Sequence, residues 1–128
     1  MVGRPLPVVS AWKWWAGFFA MSLLAVTMTA WAYLVGLPPI FATNFDKVAH
    51  FGMAGLLAFF LDGALRRRRL FAIGPVAIPL SAVLVLLPSG IDEFLQRFAE
   101  LRRSSIWDFA ADVAGVMVLI PLSRRLAQ

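Results

Sequence analysis

The chain has 128 residues, 61% of them hydrophobic, 15% charged and none of them cysteine. Soluble domains average about 45–50% apolar and about 25% charged residues, so this composition excludes an ordinary soluble core and calls for lipid as solvent. The missing cysteine excludes disulfides, thiolate catalysis and zinc–thiolate centres. The net charge of +5 sits in blocks beside apolar runs, at 66–69 and at Arg124 and Arg125. Such blocks act as topology signals and headgroup contacts, so no nucleic-acid partner is expected.

Residues 1–128 read as a single all-α integral membrane domain. The expected architecture is a bundle of four transmembrane helices with a short amphipathic helix between the third and fourth. The first span covers about 14–37, an uncharged stretch longer than the roughly 20 residues that cross a bilayer. Trp12, Trp14 and Trp15 suit an aromatic belt at its start, and Trp31 and Tyr33 one near its end. Gly36, Pro38 and Pro39 then stop the helix. Ala30-Trp31-Ala32 resembles a signal-peptide cleavage site, but the apolar run exceeds the usual signal core of about 7–15 residues, so a retained helix is expected.

The second span covers about 46–65. It opens on Asp46, Lys47 and His50, and it carries Asp62 just before the arginine block, whose side chains are its expected partners. The third covers about 70–88 and is interrupted by Pro75, Pro79 and Pro88. In the segment 91–103, Ile91, Phe94, Leu95, Phe98 and Leu101 recur at helical spacing among charged residues, the pattern of an interfacial helix. The fourth span covers about 105–122, with Asp108 and Asp112 in its first half. Arg4, Lys13, the block 66–69, Arg124 and Arg125 fall on one side of this topology and outnumber Lys47, Arg97, Arg102 and Arg103 on the other. The positive-inside rule therefore places both termini in the cytoplasm.

The polar residues inside these spans are the candidate functional groups, because ionisable side chains at membrane depth are costly and face protein or water. Asp46 and His50, at i and i+4, share a face of the second helix, while Asp108, Asp112 and Gly115 share a face of the fourth. Glu93, Gln96 and Glu100 line the polar side of the connecting segment. Arg102 and Arg103 are suited to a phosphate or carboxylate, with Lys47, Asp46, His50, Glu93, Gln96, Asp108 and Asp112 around them.

Asp46-Lys47-Val48-Ala49-His50-Phe51 resembles the D-K-x-x-H-F opening of the VanZ-like membrane proteins. Asp92-Glu93-Phe94-Leu95-Gln96-Arg97-Phe98 is similar to their D-E-x-x-Q-x-F segment. Arg102, Ser105, Asp108 and Gly115 follow the family's R-x-x-S-x-x-D-x(6)-G spacing. The resemblance covers about 46–115. Leu101 stands where the family often has glycine, and Asp112 where asparagine is common. The resemblance implies a bacterial cytoplasmic (inner) membrane protein of the cell envelope. It also implies a link to glycopeptide antibiotic resistance through the family's namesake, without assigning an activity.

The expected function is binding of an anionic lipid-linked headgroup, such as a cell-wall precursor, at an outer-leaflet site made by Lys47, His50, Glu93, Gln96, Arg102, Arg103, Asp108 and Asp112. The alternatives are a small enzyme modifying an envelope lipid, with His50, Asp46, Glu93 and Asp108 as its catalytic candidates, and a structural membrane subunit. The balance leans away from an enzyme, because no nucleophile motif, phosphate loop or paired-histidine spacing is present. No cofactor and no metal centre is expected, while a divalent ion held by His50 and several carboxylates is one version of the enzyme alternative. The expected partners are membrane lipids, and assembly with a second copy or another membrane protein fits the same composition.

Overall fold

The computed structural model describes residues 9–126. Arg4, which enters the charge asymmetry, and both chain ends lie outside the described residues. Among the described residues, four α-helices make up the bulk of the fold: α1 (Ala11–Leu34), α2 (Phe45–Ala64), α3 (Leu80–Leu95) and α4 (Ile106–Leu126). Two of them, α1 and α4, are long and apolar enough to cross a membrane. The other two differ for separate reasons. Helix α2 has 20 residues but carries Asp46, Lys47 and Asp62. Helix α3 has 16 residues and is about 24 Å long at 1.5 Å per residue.

Helix α2 is the hub and packs against the other three helices. Its crossing with α4 is made of glycine on glycine: a Cβ on Gly115 would lie 2.9 Å from the Phe51 carbonyl carbon, and one on Gly55 2.9 Å from the Gly115 carbonyl oxygen. At the α1 contact the glycines instead make room for aromatic rings, since Trp14 covers Gly63 and Phe60 covers Gly17. At the α2–α4 crossing small residues let backbones approach, as in membrane-helix interfaces. The core is thin, built on Ala54, Ala58, Leu61, Val85, Val116 and Ile120, while Leu23, Val26, Leu87, Met117 and many other large apolar side chains point outward. Buried positions include Asp62, Ser81, Glu93, Gln96, Asp108, Asp112 and Ser123.

Two sequence expectations are corrected. The stretch read as the first half of a third span is a β-hairpin, β1 (Arg69–Ile73) paired antiparallel with β2 (Val76–Pro79). Ile73 faces Val76 across Gly74 and Pro75, and Gly74 takes φ 57°. That is the backbone a two-residue hairpin turn demands at its first position. The apolar content of 70–79 suits a helix, but its Gly-Pro dipeptide is a turn signal, and Pro79, with no N–H to donate, stands at the N-cap of α3. Nor is 91–103 an independent amphipathic helix. Residues up to Leu95 continue α3, Gln96–Phe98 form one 3-10 turn, and the chain to Ser105 is irregular. The apolar periodicity there belongs to the exposed face of the end of α3.

Helix α2 ends without glycine. Arg67 N–H donates to the Asp62 carbonyl at 2.8 Å and Arg66 N–H to the Gly63 carbonyl at 3.1 Å, with Arg66 at φ 51° and Arg67 at φ 59°. This is a Schellman closure with arginine in the left-handed position that usually belongs to glycine.

Candidate functional site

The helices bring the polar residues to two opposite ends of the bundle. At one end Asp62 is fully buried. It accepts hydrogen bonds from Ser81 Oγ (2.9 Å), Ser123 Oγ (3.1 Å) and a forked pair from Arg124, Nε at 3.1 Å and Nη2 at 3.2 Å. The forked arginine pair on Asp62 therefore comes from Arg124 of α4, where the sequence suggests the adjacent block 66–69. Asp62 ties α2, α3 and α4 together, a structural role.

The other end gathers the start of α2, the end of α3 and the start of α4. His50 Nδ1 lies 3.0 Å from Asp112 Oδ1, and Asp112 also accepts the Ser89 hydroxyl. On the far side of the ring, His50 Nε2 is 3.9 Å from Asp46 Oδ1. Lys47 Nζ is 3.7 Å from Asp108 Oδ1, beyond normal hydrogen-bond length. Asp108 is 4% exposed, and this oxygen has no hydrogen-bond partner. Asp46, His50 and Asp108 each present one donor atom within 4.8 Å of the others. The i, i+4 spacings read from the sequence thus meet across the α2–α4 crossing.

Alongside this cluster runs a cavity of about 500 Å³ between α1, α2 and α3. Ala25, Met28, Met53, Leu57 and Val85 line its apolar length; Asp46, His50, Ser89, Asp92, Arg102 and Asp112 line its polar end. Arg102 lies over the Tyr33 ring, its guanidinium carbon 5.9 Å from the centroid, within cation–π range. Its buried Nε has no hydrogen-bond partner. Tyr33 donates to Asp92 Oδ1 at 2.9 Å and Gln96 Nε2 to Asp92 Oδ2 at 2.9 Å.

The remaining candidates separate from the cavity. Glu93 is buried and its carboxylate accepts the Ser105 N–H, while its carbonyl takes the Ser104 hydroxyl at 2.9 Å. An acid at this point also favours the positive end of the α4 dipole. Glu93 thus fixes where α4 begins and so where Asp108 points, and it does not line the cavity. Gln96 is buried behind Asp92. Arg103 is exposed and lies outside the cavity wall. Glu100 lines a separate hollow with Tyr33, Leu95, Phe98, Ala99 and Leu101.

Tyr33, Ser89 and Asp92 were not among the sequence candidates. Asp92 was detectable, since it stands at i, i+4 from Gln96. Ser89 and Tyr33 carried no local signal, because their partners are 23 and 59 residues away. Compared with known proteins, the chain matches no family model, no curated protein and no solved structure.

Proposed function

We propose that the chain is a multi-pass bacterial inner-membrane protein, with four spans and cytoplasmic termini, that binds an anionic amphiphile. The acyl chain lies between α1, α2 and α3 and the headgroup meets Arg102. The observation that carries this is the cavity's division into an apolar length and a polar end containing a buried guanidinium nitrogen without a partner. An unsatisfied buried donor is expensive, and a phosphate or carboxylate oxygen is its natural complement. The membrane setting is supported by the inverted distribution of polarity, with acids and serines inside and large apolar side chains outside. The two polar clusters suit this setting as well: Asp46 and Asp62 are 16 residues apart on α2, about 24 Å along the axis, and the bilayer core is about 30 Å thick.

The resemblance to VanZ-like proteins supports the same setting, since its motif residues His50, Arg102 and Asp108 belong to one end of the bundle. A connection with glycopeptide resistance rests on that resemblance alone. The test is lipid co-purification followed by mass spectrometry of the intact protein. Arg102→Ala is expected to lose anionic lipid selectively, and Leu57→Trp, which fills the apolar length, to lose the amphiphile whatever its headgroup. Equal retention in wild type and both variants refutes the reading.

A second reading is favoured by one observation: His50 stands between Asp46 and Asp112, an arrangement able to move protons. Ser89 donates to Asp112 and not to the imidazole, so Ser89 and His50 do not form a nucleophile pair. Turnover of a labelled envelope lipid that disappears in His50→Ala supports an enzyme; retention of turnover in that variant removes His50 from any catalytic role.

A further inference from the structure

We propose that Asp46, His50 and Asp108 form a binding site for one divalent metal ion of the class that accepts imidazole nitrogen together with carboxylate oxygen, such as Mn2+ or Zn2+. Three independent features point there.

The first is spacing. The three donor atoms lie within 4.8 Å of one another, and the Nε2–Oδ1 distance between His50 and Asp46 is 3.9 Å. That gap is too long for a hydrogen bond. Donors bonded to one metal at about 2.1 Å stand roughly 3–4 Å apart, so small side-chain rotations complete the set. Three protein ligands leave further positions for water or a ligand oxygen.

The second is the orientation of His50. Its Nδ1 is 3.0 Å from Asp112 Oδ1, and Asp112 is itself held by the Ser89 hydroxyl. A carboxylate on one imidazole nitrogen fixes the tautomer and directs the lone pair of the other nitrogen outward, which is the outer-shell arrangement of metal-bound histidine. Here the free nitrogen faces the Asp46 carboxylate.

The third is the unsatisfied acid. Asp108 is more than nine-tenths buried, and its Oδ1 lacks a hydrogen-bond partner. The neighbouring cation, Lys47, is 3.7 Å away on a side chain that is 43% exposed. With His50 neutral, the carboxylates of Asp46, Asp108 and Asp112 outnumber the nearby cations, Lys47 and Arg102. A divalent ion would offset that excess of negative charge, and an uncompensated charge in a low-dielectric site is strongly disfavoured.

The lysine makes the proposal testable in both directions. Lys47 competes for Asp108, so removing it should strengthen metal binding, whereas a purely structural cluster would gain nothing. The experiment uses the full chain, purified in detergent, stripped with chelator and titrated with Mn2+ while the free-ion electron paramagnetic resonance signal is followed. Wild type is expected to bind one equivalent, displaceable by Zn2+. Asp108→Asn should weaken binding at least tenfold, Asp112→Asn about 10–100-fold through its outer-shell role, and Lys47→Gln should tighten it severalfold. Absence of saturable Mn2+ binding in both wild type and Lys47→Gln overturns the proposal. So does unchanged affinity in an Asp108→Asn protein that retains wild-type helicity. No lipid is added, so failure here leaves the amphiphile reading standing, and the reverse also holds.

Discussion

The crossing of α2 and α4 positions Asp46 and His50 against Asp108 and Asp112, and Gly115 permits that crossing. In Gly115→Ala, the new Cβ would lie 2.9 Å from the Phe51 carbonyl carbon and closer still to its oxygen. Both neighbours are main-chain atoms of a helix, so neither can rotate away. Restoring an ordinary contact of 3.4 Å requires the helices to part by at least about 0.5 Å along their closest line, which also loosens the packing beside it. Overpacking of this kind costs about 1–3 kcal/mol; a rigid backbone neighbour puts this site at the upper end, about 3 kcal/mol. Gly52 on α2 is the matched control, because a Cβ there meets nothing within 4 Å. Gly52→Ala should gain up to about 1 kcal/mol of helix propensity. Thermal unfolding in one fixed detergent, followed by circular dichroism, separates the two. Gly115→Ala should unfold on the order of 10 °C below wild type, and Gly52→Ala at or slightly above it. Equal transitions for the two variants would refute the close-crossing argument.

Arg66 occupies the left-handed position of the α2 closure, which costs a non-glycine residue about 1–2 kcal/mol. Arg66→Gly is therefore expected to raise the unfolding temperature in the same assay, and a fall would mean that the arginine side chain contributes more than the backbone strain takes away. At the Asp62 cluster, Arg124→Ala leaves a fully buried carboxylate without its cation and should cost about 3–5 kcal/mol. The double variant Asp62→Ala with Arg124→Ala should be less destabilised than Arg124→Ala alone. A strictly additive double-mutant cycle would show that the two side chains do not act as a pair.

Much of this architecture was visible in the sequence. Hydropathy is a sum over neighbouring residues, so the long apolar helices α1 and α4 could be located without any tertiary information, within a few residues of their ends. The same holds for faces of single helices: Asp46 with His50, and Asp108 with Asp112, follow from the helical repeat. Hydropathy does not distinguish strand from helix, however, and in 70–79 the local turn chemistry of Gly74 and Pro75 prevailed over apolar content.

What only the tertiary structure decided was which of these faces meet. Arg124 reaches Asp62 across 62 residues of chain, while four arginines much nearer in sequence left the forked pair to it. His50 meets Asp112 across a similar separation, and Glu93 turned out to hold the start of α4 instead of facing the cavity. The physical reason is that register between α2 and α4 is set by backbone approach at Gly55 and Gly115, and an error of one residue at such a crossing turns a side chain by about 100°. Sequence alone specified the polar groups each helix carries; the glycine contacts specified that Asp46, His50, Asp108 and Asp112 face one another.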